Sequence, residues 1–299
     1  MQRPTLRQLE YFVAVAKHLS FRQAAEACFV SQPALSEQIA QLESLLRVKL
    51  FERGRKVSIT SAGLALLDRA TDILTSSDQL VETATSLGDP LTGPLRLGTI
   101  PTVGPYLLPA IVPGIHAAHP KLELYLSENR TEDLLEELAD GRLDVLLLDI
   151  DVDLGKVETH LLFSDPFLVA LSSADELAAA PSLPLSKLDD RNVLLLDEGH
   201  CLREQTLPLC KRVGLSENTG FRGSSLGTIV QMVASGLGFT LMPEMAVERE
   251  KAAAAGLAVI PLEDDIVGRS IGLAWRKSSP RAEEYRQLGA TITAAYAAS

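Results

Sequence analysis

Three cysteines are spread over 299 residues, too few for the disulfide framework of a small secreted protein. A chain of this length can bury a sizeable core and needs no such staple. No apolar run reaches the roughly 18 residues that a membrane-spanning helix requires. The opening MQRPTLRQLEYF has neither the apolar stretch nor the small-residue cleavage site of a secretory leader. A cytoplasmic protein is therefore expected, with no membrane partner. P-loop and GxGxxG phosphate cradles are missing. The histidines (His18, His116, His119, His160 and His200) show no metal-ligand spacing with cysteines or acids. No metal and no cofactor is expected. Basic residues are also in deficit, 28 Lys/Arg against 39 Asp/Glu, for a net charge of −11. Over the whole chain this argues against a nucleic-acid partner.

Divided by segment, the charge reads differently. Residues 1–60 hold nine basic side chains (Arg3, Arg7, Lys17, Arg22, Arg47, Lys49, Arg53, Arg55, Lys56) and five acidic ones (Glu10, Glu26, Glu37, Glu43, Glu52). That segment carries +4 and the remainder −15. A small basic module in front of a large acidic one permits phosphate contact by the N-terminus alone. Hydrophobic residues at 46% and charged residues at 22% are ordinary for a globular chain, and the length suggests two domains.

The basic segment has helical periodicity. Leu6, Leu9, Phe12, Val13, Ala16 and Leu19 recur on one face. Ser20 and Gln23 stand at capping-box spacing and predict a helix over 21–28. Ser31 reads as the N-cap of a third helix over 32–46, with Pro33 in its first turn and Leu35, Ile39, Leu42 and Leu46 on one face. Two short helices joined by a brief turn form a helix-turn-helix. Ser31, Gln32, Pro33 and Ser36 then lie at the end that enters a major groove, with Gln38 expected on the outward face and Arg22 on the preceding helix. Gln can pair bidentately with adenine. Phe51–Thr60 reads as a β-hairpin wing whose tip carries Arg53, Arg55 and Lys56 as phosphate contacts. The alternative is a plain three-helix core with a solvated basic turn.

The stretch LRQLEYFVAVAKHLSFRQAAEACFVSQPALSEQIAQLESLLRVKLFER resembles the winged helix-turn-helix of the LysR-type transcriptional regulators. The resemblance implies a double-stranded DNA operator, a homodimer or homotetramer, and an effector domain behind the DNA reader. The next segment agrees on independent grounds. Leu66, Ala70, Ile73, Ser77, Leu80, Ala84 and Leu87 alternate spacings of four and three, a coiled-coil stripe on one long helix. Such a helix needs a partner, most simply its own copy, with packing on its own chain as the alternative.

Behind Gly93-Pro94 strands and helices alternate, which predicts an α/β domain with mostly parallel sheets. The resemblance makes it a two-lobed, periplasmic-binding-protein-like effector domain. The expected layout is 1–60 for the DNA-binding domain, 61–90 for the linker helix and 91–299 for the effector. Lobe I takes 91–163 and 268–299, and lobe II takes 164–267.

Cys201 and Cys210 lie in LLLDEGHCLREQTLPLCKRVG. A strand, a turn and a helix place Cys201 in a first helical turn. There the backbone dipole favours a thiolate, and His200 or Arg203 is expected to add positive charge. A thiolate attacks peroxide to give a sulfenic acid, which a second thiol condenses to a disulfide. Two thiols buried as small hydrophobes are the alternative.

IPTVGPYLLP, LLLDEGHCLREQ and the second cysteine resemble the peroxide-sensing members of the LysR family. That resemblance implies that Cys201 is peroxidatic and Cys210 resolving. It makes Thr102 and Thr131 pocket threonines for hydrogen peroxide or water, and sets His200 and Arg269 beside the thiol. Glu204 stands where the better-known members have Asp, which puts proton transfer and rate in doubt. RNA polymerase and a cellular disulfide reductant are further implied partners, and the resemblance implies a regulator rather than an enzyme. A LysR-type regulator that answers a small molecule in the interlobe cleft is the alternative, with Cys201 incidental. A thiol peroxidase is a third reading, against which the DNA reader argues.

Overall fold

The computed structural model describes residues 3–54, 57–86, 90–189, 191–212, 214, 216–263 and 268–299. The chain divides into two compact units, Met1–Thr85 and Ser86–Ser299.

In the first unit, helix α1 (Leu6–His18) starts at Thr5, whose side chain accepts from the Gln8 amide in a full capping box. Helix α2 (Phe21–Ala27) is capped by Ser20 and α3 (Gln32–Leu46) by Ser31, as the sequence predicts. Leu35, Ile39 and Leu42 of α3 are fully buried against Phe12, Val15 and Ala24. Each side chain so removed from water stabilises the fold by about 1.5–3 kcal/mol. The wing is an antiparallel pair, β1 (Phe51–Arg53) and β2 (Val57–Ile59), with Phe51 opposite Ile59. Buried Glu43 anchors its base, accepting from the amides of Leu50 (2.9 Å) and Phe51 (3.3 Å) and pairing with Lys49.

Helix α4 (Ser61–Ser86) spans about 39 Å at 1.5 Å per residue. Its apolar stripe divides. Ala70, Leu66, Leu67 and Leu74 pack on the core of their own unit, whereas Ile73, Leu80 and Val81 are exposed. The N-terminal part of the predicted coiled-coil seam is thus satisfied within the chain. Leu87 lies outside the described residues.

The second unit begins with β3 (Gly93–Thr99), α5 (Gly104–Ala118), β4 (Leu122–Glu128), α6 (Thr131–Ala139), β5 (Val145–Asp149) and β6 (Val157–Asp165). It continues with β7 (Phe167–Ser172), β8 (Asn192–Leu196), α7 (Cys201–Arg212), β9 (Ser216–Gly223), α8 (Leu226–Ala234), β10 (Thr240–Pro243), α9 (Val247–Ala253) and β11 (Leu257–Pro261). Strand β12 (Arg269–Arg276) and helix α10 (Ala282–Ala297) close the chain.

One sheet has the order β4-β3-β5-β12-β6, a second the order β10-β7-β11, and β8 pairs with β9. The expected α/β architecture stands, but its sheets are mixed rather than mostly parallel. The pairs β3/β4, β3/β5 and β8/β9 are parallel. The pairs of β12 with β5 and β6, and of β7 with β10 and β11, are antiparallel. Strand–helix alternation fixes direction only where a helix links two neighbouring strands. β6, β7 and β12 are reached without such a crossover. The apolar core follows the sheets: one cluster surrounds β3, β5 and β12, and two others pack around β7, β8 and β10.

Candidate functional site

The exposed end of α3 carries the predicted DNA contacts. Ser31, Gln32 and Pro33 are exposed, and Ser31 accepts from the Ala34 amide at 3.4 Å. Ser36 is half-buried. Gln38, expected on the outward face, is half-buried instead, and Gln8 Nε2 donates to its Oε1 at 3.2 Å. Helix α1 crosses α3 there, so the Gln38 amide is committed to helix packing. Arg22 is exposed and lies 3.8 Å from Glu26 in an i,i+4 pair of little energetic weight. Arg53 is in β1, but its side chain, together with Arg55 and Lys56, falls outside the described residues.

The thiol site is built at the first turn of α7. Gly199 has φ +84, the left-handed region that favours glycine, and turns the chain from β8 into the helix. A Cβ at Gly199 would come within 3.3 Å of the Arg130 guanidinium. The Arg130–Thr131 corner therefore packs against the residues before Cys201. Thr131 is half-buried as the first residue of α6.

Cys201 is buried, and its sulfur accepts a hydrogen bond from the Thr102 hydroxyl. Thr102 in turn accepts from Arg269 Nη1 at 2.8 Å, while Arg269 Nη2 donates to the Thr102 backbone oxygen at 2.8 Å. Arg269 Nε donates to Asp165 Oδ2 at 2.9 Å, and the Met245 amide donates to Asp165 Oδ1 at 3.0 Å. A chain of donors thus runs from a buried guanidinium through one threonine to the sulfur, with every Arg269 nitrogen occupied.

These groups correct the expected electrostatics of Cys201. Burial pushes its thiol up, and this outweighs Arg269, the Thr102 hydroxyl and the Leu202 amide, all of which favour the thiolate. His200 supplies no cation. Burial and the nearby Arg130 push its imidazole down, against Asp197, so the ring is neutral at pH 7. Arg203 is buried and donates to the Leu196 carbonyl at 3.2 Å, tying α7 to β8. Arg269, remote in sequence, is the cation at the thiol. Glu204 is exposed on the first turn, away from the buried groups. Its neighbour Gln205 reaches inward instead, and Gln205 Nε2 donates to Asp149 Oδ2.

Cys210 lies in the same helix but in another core. It is fully buried among Val193, Leu195 and Phe239, whereas Cys201 packs with the cluster around β3 and β5. Burial pushes the Cys210 thiol up to about 12. Both cysteines are free thiols. Nine residues of helix separate their Cα atoms by about 13 Å, beyond the ~7 Å that a disulfide bridges. Among the described residues no cluster of His, Cys, Asp and Glu is placed to hold a metal ion, and no helix is long and apolar enough to cross a membrane.

A winged helix-turn-helix, a long helix and an α/β domain with a buried thiol at a helix N-terminus define a class of one-chain transcriptional regulators. Residues 6–64 match the bacterial regulatory helix-turn-helix protein model of the lysR family, and residues 88–297 match the LysR substrate binding domain. The chain belongs to the LysR family of bacterial regulatory proteins. Within that family it is similar to the DNA-binding transcriptional dual regulator OxyR of Escherichia coli K12. The two are 43% identical over 290 residues, 97% of this chain and 95% of that protein. A cysteine-to-aspartate variant of full-length OxyR from Pseudomonas aeruginosa superposes with a TM-score of 0.76 at 35% identity, covering 98% of this chain and 95% of that one. The oxidised form of Corynebacterium glutamicum OxyR superposes with a TM-score of 0.62 at 38% identity, covering 99% and 93%.

Asp149, Asp165, Gln205 and Arg130 are the site residues that sequence reasoning missed. Asp149 and Asp165 each end a strand, a position that marks many structural acids equally well. Asp165 finds Arg269 across 104 residues, and no local pattern announces that pairing.

Proposed function

We propose that this chain is a DNA-binding transcription regulator that senses hydrogen peroxide through Cys201 and Cys210. The observation that carries the reading is the placement of two thiols on one short helix, each in a different core, with Cys201 at the end of the Arg269–Thr102 donor chain. Kinship with peroxide-responsive regulators supports it.

The Cys201 thiolate attacks one peroxide oxygen. An S–O bond forms, the O–O bond breaks, and the leaving hydroxide takes a proton to become water. Cys210 then attacks the sulfenic sulfur: an S–S bond forms, the S–O bond breaks, and the departing hydroxide takes the Cys210 proton to leave as a second water. Thr102, held by Arg269, donates to the sulfur and is placed to orient the peroxide. Thr131, His200 and Arg203 complete the wall, with His200 neutral and able to donate or accept. Glu204, exposed on the outer face of the helix, lies outside that wall.

Because the two Cα atoms start about 13 Å apart, the disulfide requires α7 to unwind and one thiol to leave its core. That couples oxidation to a change of shape in the effector domain. The change is passed to a dimer or tetramer held in part by the exposed C-terminal stripe of α4. It alters the spacing of the DNA readers, which contact the operator through Arg22, Ser31, Gln32, Pro33, Ser36, Arg53, Arg55 and Lys56. A cellular disulfide reductant resets the switch, and RNA polymerase reads its output. The protein works where bacterial DNA is, in the cytoplasm. The domain layout of 1–60, 61–90 and 91–299, with lobe II at 164–267, belongs to this reading.

Footprinting of one operator with reduced and with peroxide-treated protein tests it. The expected result is protection in both states with a shifted spacing between half-sites. Identical footprints contradict the switch. A Cys201→Ser variant that still answers peroxide assigns control to a small molecule in the cleft.

A further inference from the structure

We propose that Asp149 is a positioning residue for the oxidation of Cys201, a buried carboxylate whose negative charge holds the cysteine as a thiol and whose neutralisation releases it. The proposal deepens the peroxide-sensing reading and rests on it.

Asp149 ends β5, is buried, and meets α7 through the Gln205 amide. The titratable and charged groups facing it come from three elements: Arg269 from β12, Cys201 from α7, and Asp151 from the loop behind β5. Its other neighbours are neutral donors. The Asp151 amide donates to Oδ1 at 3.1 Å and Gln205 Nε2 donates to Oδ2, while the Ser270 amide donates to Asp151 Oδ2 at 2.8 Å.

Two observations give this carboxyl two usable states. Gln205 lies four residues after Cys201, one helical turn along the same face, so the carboxyl and the thiol share one side of α7. Gln205 Oε1 is buried with no hydrogen-bond partner. An ionised Asp149 accepts from the Gln205 nitrogen, and a neutral Asp149 can donate its proton to the Gln205 oxygen after rotation of that amide. Burial also pushes the Asp149 carboxyl up to about 6, against the Asp151 amide and Arg269, so it titrates near neutrality.

The charge opposes Arg269 at the sulfur. Arg269 favours the thiolate and ionised Asp149 disfavours it. Since the thiolate is the attacking form, Asp149 slows the sensor while ionised. As pH falls through the titration of Asp149, loss of its charge offsets part of the loss of thiolate. The sensor's response is thereby flattened against acid.

The test follows loss of the Cys201 thiol in the full chain after peroxide, by rapid quench with an alkylating agent and peptide mass spectrometry. Asp149→Asn keeps the shape and one acceptor oxygen while removing the charge. It is expected to speed oxidation about three- to tenfold at pH 8, the change in thiolate fraction that half to one pKa unit gives. At pH 5, where wild-type Asp149 is neutral, the two rates should converge. The wild-type chain alone gives an independent check. Its log rate should rise with pH at a slope below one between pH 5 and 7, and with unit slope just above that range.

A variant-to-wild-type ratio that is the same at every pH overturns the proposal. A slower variant does so too, because it would make Asp149 the proton acceptor. Unit slope throughout in the wild type also overturns it. Absence of Cys201 oxidation at any pH overturns the functional reading and this proposal with it.

Discussion

Replacing Pro208 with alanine should make the sensor harder to oxidise, and the size of the effect follows from its place in α7. Pro208 is interior to the helix that joins Cys201 to Cys210. Proline has no amide hydrogen for the carbonyl four residues back, here that of Glu204, and its ring crowds that carbonyl. The cost against alanine is about 3 kcal/mol in a helix interior. The reduced form, in which the helix is intact, bears that cost. The disulfide form, in which the segment has unwound, does not. Pro208→Ala should therefore stabilise the reduced form by up to about 3 kcal/mol. For a two-electron couple about 1.4 kcal/mol corresponds to 30 mV, so the midpoint potential should rise by up to about 60 mV. Equilibration in thiol–disulfide buffers of known potential, quenched with acid and read by alkylation and mass, measures it. An unchanged midpoint, or one shifted to more negative potential, would refute the claim that disulfide formation unwinds this helix.

Three further outcomes follow from named contacts. Asp165→Asn leaves the buried Arg269 charge without its counter-ion and should cost about 3–5 kcal/mol of stability, read from denaturant unfolding at pH 7; a loss below about 1 kcal/mol would mean that Arg269 is held chiefly by Thr102. Phe29 is 95% exposed and sits at φ 54 in the turn between α2 and α3. Phe29→Asn, which tolerates the left-handed region, should stabilise the N-terminal unit by about 1 kcal/mol, and a lowered melting temperature would contradict the strain. Cys210 has its folded pKa raised to about 12 by burial. The sign is that of a neutral form favoured by folding: the stabilisation is full below the unfolded pKa of about 8.5 and is lost as pH rises towards 12. At pH 8 about one Cys210 in ten thousand is a thiolate, so Cys201 should be alkylated before Cys210 in the reduced native chain.

Local signals carried much of the fold into view. Ser20 and Ser31 cap the helices that their spacing predicts, because a cap and its amide lie within four residues of each other. The apolar runs Val145–Leu148 and Val193–Leu196 became buried strands, because a strand covered on both faces must be apolar throughout. The partly exposed strand β6 (VETHLLFSD) and the polar strand β9 (SENTGFRG) are not legible, since neither reads as a continuous apolar run or a clean alternation. Long-range chemistry was less legible still. The cysteine pair could be read because both thiols lie within one helix. Arg269 was reached only through resemblance, and Asp149 not at all, since charge at the sulfur is decided by tertiary contact between β5, β12 and α7. The same distance explains the misjudged thiol. A helix N-terminus with His and Arg beside it argues for a thiolate, but burial of Cys201 and the neutrality of His200 outweigh that local pattern.

The central claim is that Cys201 and Cys210 form a reversible pair, and intact mass tests it most directly. Reduced full-length protein treated with one equivalent of hydrogen peroxide should lose about two mass units as two thiols become one disulfide, and dithiothreitol should restore them. In Cys210→Ser the product should instead gain about sixteen mass units, the sulfenic acid left without its resolving thiol. A two-unit loss that survives Cys210→Ser, or no change in the wild-type chain, would contradict the account.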